Sequence, residues 1–326
     1  MQISKNEMAS VARGDCESPF LRDVLNGLSA AKKAIPARWF YDRRGSELFE
    51  AITEVPEYYP TRAERSILKA RGAQIAEICG KGRVVVEFGS GSSAKTPLLL
   101  SAITPSAYVP IDISGEFLRH SAAGLSKQFP ELPILPVEAD FMSPVPMPEL
   151  GNAARLGFFP GSTIGNMVAP AAVDLLRSMA QTLGEQSHLL IGIDRIKSED
   201  VLVPAYNDSW GVTAQFNLNL LHRINAELDG DIEVDRFAHV AIWNKAWSRI
   251  EMHLQALQDT VLRVAGRSFS MNAGETIHTE NSIKYSSLDA RVLLRAGGWN
   301  PVAEWTDSQG LFGVYLAERY EVPHAP

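Results

Sequence analysis

The sequence predicts an α/β fold in which a doubly wound, Rossmann-like sheet is interrupted by an inserted α+β lobe. Short β-branched segments alternate with longer helical segments over roughly residues 83–194. Such alternation is typical of a parallel sheet with helices on both faces. It stops near Ile196 and resumes with a helix at 287–296. The intervening stretch of about 90 residues is therefore expected to be an insertion.

The chain before the alternation, up to about Pro60, is expected to form short helices and loops. The next helix is expected to begin at Thr61. Thr61 and Glu64 have the spacing of a capping box, in which a hydroxyl and a carboxylate satisfy backbone donors at a helix start. Apolar residues then follow at helical spacing, namely Ala63, Ile67, Leu68 and Ile75.

The alternating region gives a set of expected strands and helices. The strands are expected at 83–88, 107–111, 134–138, 155–159 and 189–194, and the helices at 94–103, 114–129 and 171–183. Right-handed crossovers place the carboxyl ends of parallel strands along one edge of the sheet. Ligands bind at that edge in folds of this kind.

The inserted segment changes character along its length. Helix is expected over 201–229 and strands over 231–265, and after the helix at 287–296 two closing strands are expected at 301–306 and 313–317. We therefore expect residues 61–195 and 287–326 to form a nucleotide-type domain. Residues 1–60 and 196–286 are expected to form a second, substrate-facing lobe.

Composition excludes several classes of protein. The 31 Lys and Arg against 38 Asp and Glu give a net charge of −7, whereas non-specific nucleic-acid binding needs a basic face. With 45% hydrophobic and 21% charged residues in a chain of 326, the protein is too apolar to be disordered. Two cysteines, Cys16 and Cys79, and histidines without metal-ligand spacing predict neither a disulfide framework nor a metal site.

Membrane and export signals are also missing from the pattern. No stretch approaches the ~18 uninterrupted apolar residues of a membrane span, and the first residues lack the apolar core of a signal peptide. We therefore expect a cytoplasmic protein that acts as a monomer on a small molecule, with neither nucleic acid nor membrane as partner.

The strongest local pattern is VEFGSGSSA at residues 86–94, at the end of the first expected strand. Glycines at such a turn let the backbone approach a ligand and direct a helix N-terminus at it. Asp112 ends the second strand, where a carboxylate can bind both ribose hydroxyls. Asp140 and Phe141 follow the third strand, where they can contact an adenine amine and stack on its ring.

Two cofactors fit this arrangement. The spacing of Gly89, Gly91 and Ala94 is compatible with NAD. NAD sites, however, normally have an apolar residue two positions before the first glycine, whereas this chain has Glu87. A carboxylate there suits a cationic cofactor such as S-adenosylmethionine. A plain strand–helix turn without a ligand is the third interpretation, disfavoured by the acids that end the strands.

A second pattern, FPGSTIGN at 159–166, directly follows the fourth expected strand. Methyltransferases commonly place polar residues there, opposite the methyl group. Glycine, serine and asparagine are also ordinary loop residues, so this pattern alone leaves a loop without function as an alternative.

Six segments carry a resemblance to a known family. They are PARWFYDRRGSELFEAITEVPEYYPTRAE at 36–64, EFGSGSSAKT at 87–96, GSTIGN at 161–166, AYNDSWGVTAQFNLN at 205–219, RIEMHL at 249–254 and TENS at 279–282. Together they resemble the histidine-specific, S-adenosylmethionine-dependent methyltransferases of ergothioneine biosynthesis, from about residue 20 to 318. The resemblance implies a class I methyltransferase sheet, S-adenosylmethionine as cofactor, and threefold methylation of the α-amine of L-histidine to hercynine.

The resemblance, with the glycine pattern, also implies which residues form the site. The expected cofactor contacts are Tyr41, Glu87, Gly89, Gly91, Lys95, Asp112, Asp140, Phe141 and Ser162. The expected substrate contacts are Phe49, Tyr58, Gly161, Asn166, Tyr206, Met252, Glu280 and Ser282. Tyr41 and Asn166 are the expected catalytic residues, and no metal is implied.

These residue types suit methyl transfer to an amine. A free amine must lose its proton to react, and neutral groups such as Tyr41 and Asn166 orient it without stabilising the charged form. Glu280 can accept an imidazole N–H and Ser282 can add a second hydrogen bond, which would select histidine. The aromatic faces among the expected residues can attract the permanently cationic product.

Three alternatives stay open from the sequence. The same fold could act on another, aromatic amino acid, or the chain could be an inactive relative that only binds cofactor or amino acid. An NAD-dependent oxidoreductase is weakened chiefly by Glu87. His253, next to Met252, is interpreted as structural because it has no partner at metal-ligand spacing.

Overall fold

The computed structural model describes residues 18–91, 95–151 and 153–320. Cys16, residues 92–94 of the glycine pattern and the last six residues of the expected nucleotide-type domain lie outside these ranges.

Helices and strands occur throughout the described residues and are connected by loops and turns. The α-helices there are α1 (Pro19–Ser29), α2 (Arg43–Glu54), α3 (Tyr59–Cys79), α4 (Thr96–Ile103), α5 (Gly115–Gln128), α6 (Ala169–Leu183), α7 (Glu199–Tyr206), α8 (Val212–Glu227) and α9 (Ser287–Ala296). Short 3₁₀ helices cover Ala37–Phe40, Thr163–Asn166 and Val234–Arg236. The strands are β1 (Val84–Phe88), β2 (Ala107–Asp112), β3 (Val137–Glu138), β4 (Arg155–Phe159), β5 (His188–Asp194), β6 (Phe237–Asn244), β7 (Arg249–Ala256), β8 (Thr260–Val264), β9 (Arg267–Met271), β10 (Thr276–Ile283), β11 (Trp299–Thr306) and β12 (Phe312–Arg319). Among the helices described here, none combines the length and apolar character needed to cross a bilayer.

The central sheet has seven strands in the order β11-β12-β5-β4-β1-β2-β3. Strands β1 to β5 run parallel, β12 pairs antiparallel with β5, and β11 pairs antiparallel with β12 at the edge of the sheet. Strand β1 is buried on both faces, since Val84 and Val86 pack in the core on one side and Val85 in the core on the other. Burial on both faces explains why this strand is a continuous apolar run rather than an alternating one. The predicted Rossmann-like α/β fold is confirmed.

The inserted segment contributes α7, α8 and two small antiparallel sheets, β10-β7-β6 and β8-β9. Its buried apolar residues, from Leu202 to Ile277, pack in one hydrophobic core with those of the N-terminal region, from Phe20 to Tyr59. Of the described residues buried in that core, none belongs to the central sheet. The two segments therefore pack together, although they are distant in sequence.

Strand β10 contains a β-bulge. His278 pairs with His253 of β7, whereas Glu280 pairs with the adjacent residue Met252, so Thr279 is an extra residue on β10. The Thr279 hydroxyl donates to the Met252 carbonyl oxygen at 3.0 Å. Because successive strand residues point to opposite faces, the bulge puts His278 and Glu280 on opposite faces of the sheet.

The expected start of α3 is wrong, and tertiary contacts are the reason. The helix begins at Tyr59, with Pro60 in its first turn, where the missing N–H removes no helical bond. The expected capping box does not form, because Glu64 is fully buried and bonds instead to Lys95 and to the Gly161 backbone.

Other boundaries differ where local side chains interrupt an element. The helix expected over 201–229 is two helices, since Asp208 accepts from the Val212 and Thr213 backbone N–H groups at 2.9 and 2.8 Å and so starts α8 anew. The strand expected at 134–138 is reduced to the two residues of β3. Strands β9 and β10 lie beyond the residues for which the sequence indicated strands.

Candidate functional site

A cavity lies where the loop after β4 meets the inserted segment. Its lining includes every residue expected to bind substrate, namely Phe49, Tyr58, Gly161, Asn166, Tyr206, Met252, Glu280 and Ser282. It also includes Tyr41 and Ser162, which were expected to contact the cofactor. The remaining lining residues, which the sequence did not indicate, are Ile52, Thr163, Ala205, Thr213 and Phe216.

The loop after β4 reaches the cavity because it packs closely on β10. Ser162 has a left-handed φ of 59°, and a 3₁₀ turn follows it. At Gly165, a Cβ atom would come within 2.7 Å of the Ile283 carbonyl oxygen, so only glycine permits this approach. As a result Asn166 Nδ2 donates to Glu280 Oε1 at 3.0 Å, a hydrogen bond that sequence reasoning missed.

Glu280 is the acidic group of the cavity. Burial raises its pKa to about 7, although the Lys284 ammonium and the hydrogen bond from Asn166 both lower it. Its carboxylate is therefore close to half ionised at neutral pH. Since a carboxylate has several acceptor positions and Asn166 uses one, Glu280 can also accept an N–H from a ligand.

Aromatic rings form one wall of the cavity. The Tyr41 ring centroid lies 5.7 Å from that of Phe49 and 5.8 Å from that of Phe216, both edge-to-face. Tyr58 continues the wall, 6.5 Å from Phe49 and 6.2 Å from Tyr206. Burial, with nearby charged groups, raises the pKa of all three tyrosines, so they stay neutral at physiological pH. Neutral rings can attract a cation through their faces without forming an ion pair.

A buried ionic cluster lies behind the cavity. Lys284 Nζ donates to the Tyr206 hydroxyl and to Ser282 Oγ, each at 2.7 Å, and pairs with Asp194 Oδ2 at 2.7 Å. Lys197 Nζ pairs with the other oxygen, Asp194 Oδ1, at 2.5 Å. Burial opposes ionisation of Asp194, but the two lysines outweigh it and hold the pKa of this carboxyl below its usual value.

Sequence reasoning missed this cluster, although a signal for it exists. Glu280, Ser282 and Lys284 occur at every second position, the spacing of residues that share one face of a strand. Asp194 ends β5, and Tyr59 donates to its Oδ2 at 2.7 Å. No local pattern indicates those two partners, because they come from other parts of the chain.

The glycine turn after β1 lies at the carboxyl edge of the central sheet. Gly89 has a φ of 69°, and a Cβ atom there would lie 3.4 Å from the Phe141 ring. The Phe141 ring packs edge-to-face against Phe88 and Phe159, at 6.2 and 5.9 Å. Glycine therefore suits this left-handed backbone conformation and lets the Phe141 ring pack closely against the turn.

Two carboxylates follow the next strands along this edge. Asp112 Oδ2 accepts from the Gly91 N–H at 3.1 Å and Oδ1 from the Ser114 N–H at 2.9 Å. Asp140 is exposed, and its Oδ1 accepts from the Met142 N–H at 2.9 Å. Because a carboxylate has about four acceptor positions, both groups keep capacity for ligand hydroxyls and amines.

The glycine edge and the cavity are connected. Lys95 pairs with Glu64 at 2.5 Å, and Glu64 Oε2 also accepts from the Gly161 N–H at 2.9 Å. Glu64 thus ties the residue after the glycine turn to the loop that lines the cavity. A second connection is electrostatic, since the charge of Asp112 adds to burial in raising the pKa of Tyr41.

Glu87 has a different environment from the one expected. Its side chain is 1% exposed, and its Oε2 accepts from the hydroxyls of Thr96 at 2.7 Å and Tyr108 at 2.6 Å. Burial raises its pKa to about 7, against the lowering effect of these hydrogen bonds. In this structure Glu87 ties β1 to α4 and β2, and its expected contact with a cationic cofactor stays a prediction.

His253 was interpreted as structural, and the structure gives it two neighbouring side chains. Its ring stacks on His278 with a centroid distance of 4.7 Å, and its Nε2 lies 3.2 Å from Glu251 Oε2. These three side chains could in principle hold an ion. However, Arg249 pairs with Glu251 at 2.5 Å, and the rings lie parallel instead of pointing at a common centre. We interpret the group as packing on the face of β7 and β10 opposite the cavity, which linear spacing cannot indicate.

Comparison with known proteins gives a match over most of the chain. A family model described as histidine-specific methyltransferase, SAM-dependent, matches residues 20–319. The histidine N-alpha-methyltransferase of Mycobacterium tuberculosis is 41% identical over 307 residues, which cover 91% of this chain and 94% of that protein. Ergothioneine biosynthesis protein 1 of Neurospora crassa is 30% identical over 294 residues, 87% of this chain and 33% of that protein. The 4-dimethylallyltryptophan N-methyltransferase easF of Aspergillus fumigatus is 26% identical over 326 residues, 94% of this chain and 95% of that protein.

Proposed function

This chain belongs to the family of histidine-specific, S-adenosylmethionine-dependent methyltransferases, and we propose that it converts L-histidine to hercynine by three methyl transfers to the α-amine. The observation that carries the proposal is a cavity whose lining brings together an acid, a serine, an asparagine and neutral tyrosines. The reaction is a step of ergothioneine biosynthesis, the process for which the Neurospora crassa relative is named. Family membership excludes the nicotinamide alternative.

The carboxyl edge of the central sheet suits the cofactor. Gly89 turns the chain beside the Phe141 ring, and Asp112 and Asp140, which follow neighbouring strands, offer acceptors at the same edge of the sheet. We propose that Asp112 binds the ribose hydroxyls, that Asp140 binds the adenine amine, and that Phe141 stacks on the adenine. The remaining proposed contacts are Tyr41, Gly91, Lys95 and Ser162. When bound, S-adenosylmethionine supplies an electrophilic methyl group on a positively charged sulfur.

Asn166 and Tyr41 are proposed to orient the amine. Methyl transfer needs a neutral nitrogen whose lone pair points along the line of displacement. A carboxylate beside the amine would stabilise its protonated, unreactive form. Asn166 is uncharged, and Tyr41 stays uncharged because burial raises its pKa. Both can therefore hold the amine while its proton leaves to water.

The lining formed by β7 and β10 is proposed to recognise the imidazole. Glu280 accepts one ring N–H and Ser282 adds a hydrogen bond to the ring, while Met252 packs against it. Phe49 and Tyr58 face the amine, where cation–π attraction of ~0.5–2 kcal/mol tolerates the trimethylated product. Tyr206 completes the proposed substrate contacts.

We propose further that the two halves of the site belong to two lobes. Residues 61–195 and 287–326 would hold the cofactor, and residues 1–60 and 196–286 would hold the amino acid. The shared hydrophobic core of the N-terminal region and the insertion supports this division. We also propose a monomeric enzyme, and light scattering of the purified protein would measure its oligomeric state. A cytoplasmic location is proposed as well, and the buried, unpaired Cys79 is consistent with a reducing compartment.

A second candidate substrate is another aromatic amino acid. The 26% identity to a methyltransferase named for 4-dimethylallyltryptophan favours it. Glu280 and Ser282 together distinguish the two candidates, because an indole offers one N–H to the carboxylate but no acceptor nitrogen to the hydroxyl.

Mass spectrometry of a reaction with L-histidine and S-adenosylmethionine tests the proposal. Three successive methyl additions to histidine are expected, and absence of any methylated histidine would refute it. Parallel reactions with tryptophan and tyrosine test the second candidate. In Glu280→Ala, we expect the ratio of kcat/KM for histidine to that for tryptophan to fall, and an unchanged ratio contradicts the proposed imidazole contact.

A further inference from the structure

Lys284 is a buried ammonium to which the proposed reaction gives no role. Its side chain is 0% exposed, and a charge so placed is costly unless it is paired and hydrogen-bonded. Asp194 provides the paired charge at 2.7 Å. The other two contacts are to hydroxyls that line the cavity, those of Tyr206 and Ser282.

The hydrogen atoms in this cluster can be counted. A lysine ammonium has three N–H donors and no acceptor, and Lys284 directs them at Asp194 Oδ2, the Tyr206 oxygen and Ser282 Oγ. Both hydroxyl oxygens are therefore acceptors from Lys284. They also lie 2.7 Å from each other, so one donates its hydrogen to the other. One hydroxyl hydrogen is left over for a ligand.

We propose that Lys284 is a positioning residue for substrate recognition, which makes the Tyr206–Ser282 pair present one O–H donor to the ligand. The inference rests on the proposed function, because the ligand in question is the side chain of the amino-acid substrate. Lys284 touches that substrate only through the two hydroxyls.

This arrangement defines the chemistry of a fitting side chain. The hydroxyl pair offers a donor, and ionised Glu280 offers an acceptor at the same end of the cavity. A neutral imidazole has one acceptor nitrogen and one N–H, and so satisfies both. An imidazolium has two N–H groups and no acceptor, and it also carries the same charge as Lys284. The cavity therefore selects the neutral ring over the protonated one.

Lys284 acts on Glu280 as well. Burial raises the pKa of Glu280, and the Lys284 charge is the largest influence that lowers it. The titratable groups around Glu280 are Tyr41, Tyr58, Asp194, Tyr206 and Lys284. The three tyrosines stay neutral and Asp194 stays ionised near neutral pH, because their pKa values are raised and lowered respectively. Among the carboxyl and tyrosine groups of this set, Glu280 is thus the one whose pKa lies near neutral pH.

Lys197 provides a matched control. It is also a buried lysine paired with Asp194, at 2.5 Å, with a side chain 8% exposed. Its hydrogen bonds go to Asp194 and to the Tyr59 hydroxyl at 2.6 Å, and neither reaches the cavity lining. Lys197→Met and Lys284→Met thus remove the same charge from the same carboxylate, but only the second frees the hydroxyl pair.

Steady-state kinetics of both variants across pH test the inference. In Lys284→Met, we expect kcat/KM for histidine to fall about ten-fold or more, mainly through KM, since the donor is no longer oriented. We also expect the acid limb of its pH profile to move upward, because Glu280 loses a neighbouring positive charge. Lys197→Met should keep the wild-type KM and acid limb, and binding of S-adenosylhomocysteine should be similar in both.

The same KM for histidine and the same acid limb in both variants would overturn the inference, because Lys284 would then only neutralise Asp194. If Lys284→Met does not fold, Asp194→Asn combined with either lysine substitution removes the unpaired carboxylate and allows the same comparison. A wild-type protein that does not methylate histidine refutes the proposed function, and this inference with it. If the wild type methylates histidine, but Lys284→Met and Lys197→Met have the same KM and the same acid limb, only the inference is refuted.

Discussion

Replacing Glu280 by glutamine exchanges an acceptor for a donor at constant size. Asn166 Nδ2 donates to Glu280 Oε1 at 3.0 Å, and a glutamine carbonyl oxygen can keep that bond. The other terminal atom then becomes an NH₂ group that faces the ligand. With the Tyr206–Ser282 pair held as a donor by Lys284, an imidazole would meet donors at both nitrogens, although its neutral form has one acceptor.

The expected magnitude is that of one hydrogen bond to a charged acceptor. Such a bond contributes roughly 1.5–3 kcal/mol, so kcat/KM for histidine should fall by about 10- to 150-fold in Glu280→Gln. The difference depends on pH, since burial raises the pKa of Glu280 to about 7. Wild type loses its charged acceptor as the pH falls through about 7, and the two enzymes should therefore converge in acid.

Glu280→Gln should lower kcat/KM but should not lower the stability of the fold. Burial raises the folded-state pKa of Glu280 above its ordinary value of 4.5, so the stability linked to this group is fully present below that value. It is lost as the pH rises through about 7, where the buried carboxyl ionises. At mildly alkaline pH, Glu280→Gln should therefore have a Tm at least equal to that of wild type.

Initial rates over a range of histidine concentrations and pH, with calorimetric Tm values, provide the assay. Binding of S-adenosylhomocysteine serves as the control, because the glycine edge is unchanged. A variant with wild-type kcat/KM, or one whose deficit is the same at every pH, would refute the reasoning. A large fall in Tm would show that Glu280 acts on folding and not on recognition.

Two further substitutions test how the loops are held. Glu64→Gln removes the negative partner of buried Lys95, and we expect S-adenosylhomocysteine to bind about ten-fold more weakly by calorimetry, whereas wild-type affinity would disprove the link between the glycine turn and the cavity loop. Gly165→Ala places a Cβ atom 2.7 Å from the Ile283 carbonyl oxygen, so we expect a higher KM for histidine and a loss of stability of about 1–3 kcal/mol. Its control is Gly124→Ala, in open space on helix α5, which should gain up to about 1 kcal/mol in thermal unfolding, and equal effects of the two would contradict the close packing at Gly165.

The parts of the molecule that could be predicted are those with local signals. The parallel strands follow from apolar runs such as 84–86, which need only a buried environment on both faces. The residues that line the cavity could be predicted because contiguous segments resemble a known family, and the resemblance of each segment assigns roles to the side chains in it. Asn166 and Glu280 were both indicated in this way, but their contact was not, because it depends on how two distant segments pack.

The parts that could not be predicted depend on partners far apart in sequence. Glu64 fits a capping box locally, yet its carboxylate pairs with Lys95 and the helix begins at Tyr59. His253 has no partner along the chain, but β10 brings His278 next to it. Lys284 needs the end of β5 to supply Asp194. In each case a long-range ion pair or ring contact overrides a local preference.

The bulge in β10 determines where a change in the length of this strand would turn the cavity-facing side chains away from the cavity. Because Thr279 is the surplus residue, loss of this one position would leave Glu280 opposite Met252, with the same groups turned to the cavity. Loss of a residue between Glu280 and Lys284 would instead turn some of the side chains that now face the cavity to the other face of the sheet. A deletion at 279 costs the hydrogen bonds of buried Thr279 but keeps the cavity-facing groups in register, whereas a deletion a few residues later misplaces those groups.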